Sequence, residues 1–300
     1  MSMKKLFNAT FEQSLNLLDD PFIIFMNKDV NRLPDPEGGR KIFARIIGLF
    51  LLFFLVGVNF LIALISAEVS DGEFWENSFS KPETNFLPMC LFYFLFFIWV
   101  ILVIVFRDRG EYYLSRIRGQ FNLNLYLFWL LIEMNLLFIT VFLKMLTIIG
   151  MIGMLGLVGL LGNVIFRSKK KSVENILYET KIKKNKIDKL VEKVLKLVVR
   201  YGWTVVVIVM VWKLIFPSNN VVRTDVVGFI GLVSMWVVID IGFIVTEAYL
   251  FFPYLLHGYY KYKYPEEYRE WEGKTQLEWY GEKYFNKHIK GTEKEKKDEY

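Results

Sequence analysis

The sequence predicts an all-α, polytopic membrane protein with six transmembrane helices and both termini in the cytoplasm, and three observations carry that prediction. Hydrophobic residues make up 54% of the 300 residues and mean hydropathy is +0.33, whereas a soluble domain holds roughly 45–50% apolar residues and few long uninterrupted runs. The apolar residues are gathered into runs of membrane-spanning length. Of the 37 lysines and arginines, 31 fall in four segments that alternate with those runs: 6 in residues 1–41, 4 in 107–120, 11 in 167–196 and 10 in 257–300. Such segregation is the positive-inside pattern, which places the four basic segments in the cytoplasm.

A hydrocarbon core of about 30 Å needs ~20 apolar residues at 1.5 Å rise. Residues 42–66, 87–106, 198–216 and 226–250 each meet that length as one span. The stretch Phe121 to Phe166 holds 46 residues, roughly 69 Å as a single helix, more than twice what a bilayer needs. Both of its flanks are basic, so it crosses an even number of times. A hairpin turning near Lys144 and Thr147, with spans 121–143 and 148–166, is the simplest solution.

The segment before the first span, residues 1–41, places Leu6, Phe7, Phe11, Leu15 and Leu18 at helical spacing, followed by Asp20-Pro21 and a short apolar piece from Phe22 to Met26. Neither piece can span, and together they read as interfacial helices on the cytoplasmic surface. No h-region of 7–15 apolar residues follows the two N-terminal lysines, so a cleaved signal peptide is not expected. Between the first two spans, residues 67–86 carry Glu68, Asp71, Glu73, Glu76 and Glu83 against Lys81 alone, as an outer loop should.

Within the transmembrane domain, 42–256, the basic segment is read as an amphipathic cytoplasmic helix over 170–196. It sets Ile187, Leu190, Val191, Val194 and Leu195 on one face, suited to lying on anionic lipid. The tail, 257–300, interleaves tyrosines and tryptophans with charges, a composition that suits a membrane interface. Thr275 and Glu278 form a capping box that starts a helix at 276, after a break at Gly273. Residues 291–300 are charged and low in complexity and are expected to be disordered.

Several function classes fall away. The net charge of +6 is accounted for by cytoplasmic segments facing anionic lipid, so it gives no reason to invoke nucleic acid. Cys90 is the one cysteine and lies within an apolar run, so no disulfide framework or thiolate metal site is expected. The two histidines, His257 and His288, both lie in the tail. No HExxH, GxSxG or Walker pattern occurs; no enzyme, metal or cofactor is expected. The 26 lysines against 11 arginines suit an AT-rich bacterial genome, which would make the host membrane a bacterial plasma membrane.

Three carboxylates lie inside apolar runs: Glu133 in the third span, and Asp240 and Glu247 in the sixth. Each should cost about 2.5–3.5 kcal/mol at a helix centre on the insertion scale. Glu247 sits near the cytoplasmic end, where Arg200 could pair with it. Lys144 and Lys213 are too far along the axis to reach Glu133 and Asp240, and their natural role is to snorkel outward. Glu133 and Asp240 are then protonated, hydrated or balanced by a bound cation, or they serve as hydrogen-bonding glue with Asn135 or Asn59. Gly150, Gly153, Gly156, Gly159 and Gly162 recur every three residues along the fourth span, which suits close packing or a hinge; none are spaced as GxxxG. Two functions follow as expectations. One is a small transporter or ion-conducting protein with Glu133 and Asp240 as a midplane proton or cation site. The other is a non-transporting membrane partner, such as a toxin-immunity protein or an accessory subunit, recognised through loop 68–83 or the C-terminal tail.

Overall fold

The computed structural model describes residues 3–24, 39–71, 81–106, 112–179, 189–191, 193, 194, 197 and 226–296. All regular structure among them is helical. Short turns at Met3–Phe7 and Asn16–Asp19 flank α1 (Phe11–Leu15). The long elements are α2 (Gly39–Asp71), α3 (Met89–Val105), α4 (Ser115–Leu177) and α5 (Val226–Thr246). The tail forms α6 (Phe252–Lys263), α7 (Pro265–Trp271), α8 (Gln276–Tyr280) and α9 (Glu282–His288). Among the described residues, Ile46–Asp71, Tyr112–Leu177 and Val227–Lys263 are long and apolar enough to cross a membrane, and Met89–Val105 is a shorter apolar helix.

α4 is two helices joined at a sharp turn. Thr147 alone leaves helical geometry, with φ 59° and ψ 166°, a region that a β-branched residue adopts only at a cost of about 1–3 kcal/mol. Its hydroxyl accepts from the Gly150 N–H at 3.5 Å, the position an N-cap serves when a new helix begins. The two arms, 115–146 and 148–177, return to the same place, because Tyr113, Val173 and Leu177 all pack into one cluster with the tail. That end is called the tail end below, and the opposite one the turn end.

The remaining helices align against the first arm. Ser66 of α2 donates to Asn85 at 2.8 Å, and the Phe86 N–H donates to Thr140 at 2.9 Å, so α2 ends and α3 begins at the turn end. Phe106, just past α3, meets Phe121 edge-on at 4.8 Å, so α3 runs back to the tail end. Phe229 packs on Phe142 near the turn, while Tyr249 meets Lys169 at the tail end; α5 therefore runs in the same direction as the second arm. Between α5 and α6 the chain widens into a π-turn over Glu247–Phe251, where the Phe252 N–H reaches the Glu247 carbonyl. The wider turn suits Pro253 at the start of α6, whose ring would clash with the preceding turn and which offers no N–H.

At the tail end the N-terminal segment is held between the hairpin and the tail. Leu6, Leu17 and Ile23 are buried with Val173, Leu177, Tyr260, Tyr268 and Trp279. Tyrosine hydroxyls clamp its backbone: Tyr260 donates to the Leu6 carbonyl and accepts from the Ala9 N–H, Tyr264 donates to the Ala9 carbonyl, and Tyr178 donates to the Lys5 carbonyl. A buried phenol needs such a partner. The tail aromatics expected at a lipid interface thus include several that turn inward, and Tyr260 and Tyr268 are fully buried.

One ion pair fixes this docking. Asp20 and Lys169 meet at 2.6 Å with exposures of 0% and 1%, and the Lys169 ammonium also lies over the rings of Phe22 and Tyr249. Asp20 in addition accepts from the Phe22 N–H at 3.0 Å.

Several sequence boundaries shift. The second arm runs on to Leu177, and Glu179 at φ 51° interrupts the helix expected over 170–196. In the part described after that break, Val191 is buried while Leu190 and Val194 are exposed; Ile187 and Leu195 lie outside what can be described. The capping box Thr275/Glu278 is present, but Gly281 at φ 79° ends that helix at Tyr280. Residues 291–296 are ordered, because Gln276 bonds the Lys294 carbonyl and the Lys296 N–H, and Lys296 pairs with Glu270.

Removing one partner of the buried pair, by Asp20→Ala or Lys169→Ala, should cost about 3–5 kcal/mol by leaving a lone buried charge. The double variant Asp20→Leu/Lys169→Met should recover most of that loss in thermal unfolding of the detergent-solubilised protein. The tail should loosen at both pH extremes. For Glu272, burial pushes the carboxyl up, but the Lys261 and Lys274 ammonium groups outweigh this and hold it below the usual 4.5. Its contribution is present above pH 4.5 and fades as pH falls through its folded value. For Tyr268, burial pushes the phenol up to about 12 against a hydrogen bond with Ser14, so its contribution is complete below pH 10 and fades between 10 and 12. Trp279 fluorescence should report both losses, since Tyr113 stacks on its ring at 4.9 Å.

Candidate functional site

The first arm of α4 carries the polar side chains of the apolar region, and it presents them on different faces. Glu133 and Asn135 are two residues apart, about 200° around a helix, so they meet different neighbours. Glu133 is fully buried on the side of α2 and α3. The Trp129 indole N–H donates to its Oε1, and Trp129 stacks on Trp99 at 5.1 Å. The Asn59 amide of α2 lies against the same carboxyl, yet Glu133 Oε2 and both Asn59 amide atoms complete no hydrogen bond. Nearby, the Tyr126 hydroxyl donates to the Leu55 carbonyl at 3.1 Å.

Asp240 belongs to another cluster. Asn135 donates to Asp240 Oδ1 at 2.9 Å and to the Leu131 carbonyl at 3.0 Å, and it accepts from the Trp236 indole at 2.9 Å. Trp236 is fully buried and stacks on Phe138 at 5.3 Å. Asp240 is thereby held in dry packing between the first arm and α5, with 5% exposure.

Glu247 forms the third. Asn124, nearer the tail end of the same arm, donates to its Oε2 at 3.1 Å, while Oε1 completes no bond. Arg200, its expected partner, lies outside the described residues. Among the described residues, Glu133 and Asp240 thus lie in separate clusters, each met by an N–H of a first-arm side chain.

The glycines divide. Gly162 is buried, and a Cβ there would fall 2.9 Å from the tip of Ile244, so this is where the second arm and α5 approach closely. Gly150 has ordinary contacts with its own turn, while Gly153, Gly156 and Gly159 have open space around them. At the turn end, a cleft of about 630 Å³ is lined by residues that include Glu83, Phe86, Lys144, Thr147 and Ile149. None of the three acids borders it. Lys144, expected to snorkel, pairs with Glu83 at 3.1 Å.

These features define an all-helical protein with apolar helices of membrane-crossing length and isolated polar clusters between them. No family of proteins, curated protein or solved structure matches the chain.

Sequence reasoning missed two pairs. Asp20–Lys169 was hidden because Lys169 reads as one of eleven bases in a loop. The signal was Val173, Ile176 and Leu177, which continue an apolar face past those lysines. Asn124–Glu247 was hidden because an asparagine at the start of a span reads as interfacial.

If Asn135 holds Asp240 and Trp236 together, Asn135→Leu should lower stability by about 1–3 kcal/mol, since it strands a buried carboxyl and an indole N–H. Asp240→Asn should change stability by less than about 1 kcal/mol, because its amide oxygen still accepts. Thermal unfolding in detergent distinguishes the two.

Proposed function

We propose that the chain is a six-span plasma-membrane protein of bacterial type, with both ends cytoplasmic, that works as a non-transporting partner in a membrane assembly. The span count is supported by direction. The second arm reaches the tail end at Leu177, and α5 starts again from the turn end at Val226. The apolar run 198–216 lies between them, so the chain has to cross once more. The docked N-terminal segment and tail share the tail end, which carries the basic segments and so faces the cytoplasm on the positive-inside rule.

The observation that carries the functional reading is the burial of Glu133 and Asp240 in separate clusters, on opposite sides of the first arm. A proton or cation path needs carboxyls that share a hydrated route; hydrogen-bonding glue needs a donor from a facing helix, which Asp240 has in Asn135, while Glu133 takes its donor, Trp129, from its own helix. The tail aromatics that clamp the N-terminal segment are occupied within the chain, which leaves the acidic loop 68–83 as the stronger recognition element for a protein partner. The lipid partner of the lysine-rich surfaces is anionic lipid.

Flux and membrane-potential assays on proteoliposomes test this reading. Wild type, Glu133→Gln and Asp240→Asn should all match protein-free vesicles at every pH. A pH-dependent flux in wild type that either variant abolishes would restore the ion-conducting reading.

A further inference from the structure

The cleft at the turn end, which Glu83 at the close of the acidic loop borders, combines three features. Its floor is apolar, with Phe86, Leu143, Ile148 and Ile149. Its rim carries an ion pair, Lys144 with Glu83 at 3.1 Å, whose side chains are 43% and 78% exposed and thus open to a ligand. Its wall includes Thr147, the residue held at φ 59°; strained backbone persists where the surroundings over-determine it, and it gathers at ligand sites. The volume of about 630 Å³ falls within the range of roughly 300–1,000 Å³ of small-molecule sites.

We propose that this cleft binds a phospholipid with an amine-bearing, zwitterionic headgroup, the lipid phosphate on Lys144, the lipid ammonium on Glu83, and the first acyl carbons on the apolar floor. A cation and an anion side by side on one rim complement a headgroup that carries both charges a few bonds apart. An anionic lipid without an amine would satisfy Lys144 but leave Glu83 facing its phosphate, a like-charge contact that selects against it. The inference rests on the reading of the chain as a membrane protein but not on its being a non-transporter.

Native mass spectrometry of the detergent-purified full chain reads the site directly, with phosphatidylethanolamine and phosphatidylglycerol as probes. Wild type should retain phosphatidylethanolamine in preference. Lys144→Met and Glu83→Gln should each weaken its retention about fivefold, the size of one exposed charge contact. Glu83→Gln should also erase the preference over phosphatidylglycerol, with unchanged thermal unfolding showing that the fold persists. Should a single variant fail to fold, the charge-swapped pair Glu83→Lys/Lys144→Glu keeps the bridge and should retain the amine preference. Free phosphoethanolamine should not displace the lipid, because it lacks the acyl carbons. Equal retention of both lipids by wild type, retention unaffected by the substitutions, or displacement by free phosphoethanolamine would each overturn the proposal. None of these outcomes depends on flux.

Discussion

A carboxyl in an apolar helix bundle has to be met by a donor that is itself held in place, and the first arm of α4 supplies such a donor to each of three acids. Trp129 serves Glu133, Asn135 serves Asp240 and Asn124 serves Glu247. Asn135 and Asn124 reach across to α5, whereas Trp129 and Glu133 share the first arm and face α2 and α3. The arrangement of neighbours is therefore set by polar satisfaction as much as by apolar packing. In a bilayer there is no hydrophobic drive between helices, and such bonds are among the few terms that specify which faces meet.

Below that region the same logic changes currency. The Asp20–Lys169 pair is buried at a junction of three elements, the N-terminal segment, the second arm and the π-turn with Tyr249. A buried ion pair contributes little net stability compared with apolar side chains, but either charge left alone is expensive. It therefore acts as a registration mark: the N-terminal segment has one docking position in which both charges are matched. The tyrosine clamps then close on backbone that is already placed.

The coarse fold was legible in the sequence because it follows from length and polarity alone. A largely apolar stretch of 46 residues between basic flanks has to fold back, and the turn falls at Thr147. The capping box at Thr275 was legible because its chemistry is local. What was not legible depends on which residues meet across long separations. Val173 and Leu177 read from sequence as part of the basic cytoplasmic helix 170–196 because the lysines around them dominate a short window, whereas their burial is decided by Leu6 and Tyr260. For the acids, the sequence could name Asn135 and Asn59 as glue, and the structure sets both beside them. It could not show that Glu133 and Asp240 face apart, because that follows from the angular position of Asp240 on a different helix. The tail tyrosines carry the composition of an interface, and composition does not say whether the polar tip of a ring finds water or a backbone carbonyl.

The clamps at the tail end also set an order of events. The Ala9 N–H bonds a hydroxyl 251 residues further along, at Tyr260, and Ser14 bonds Tyr268. The N-terminal segment thus has only part of its binding site, Lys169, Leu177 and Tyr178, until the tail tyrosines are in place. Non-local contacts of this kind form late, because the intervening loop has to be closed before they return anything. The docking of the N-terminal segment is therefore completed only when the helices that carry Tyr260 and Tyr268 have packed against the hairpin.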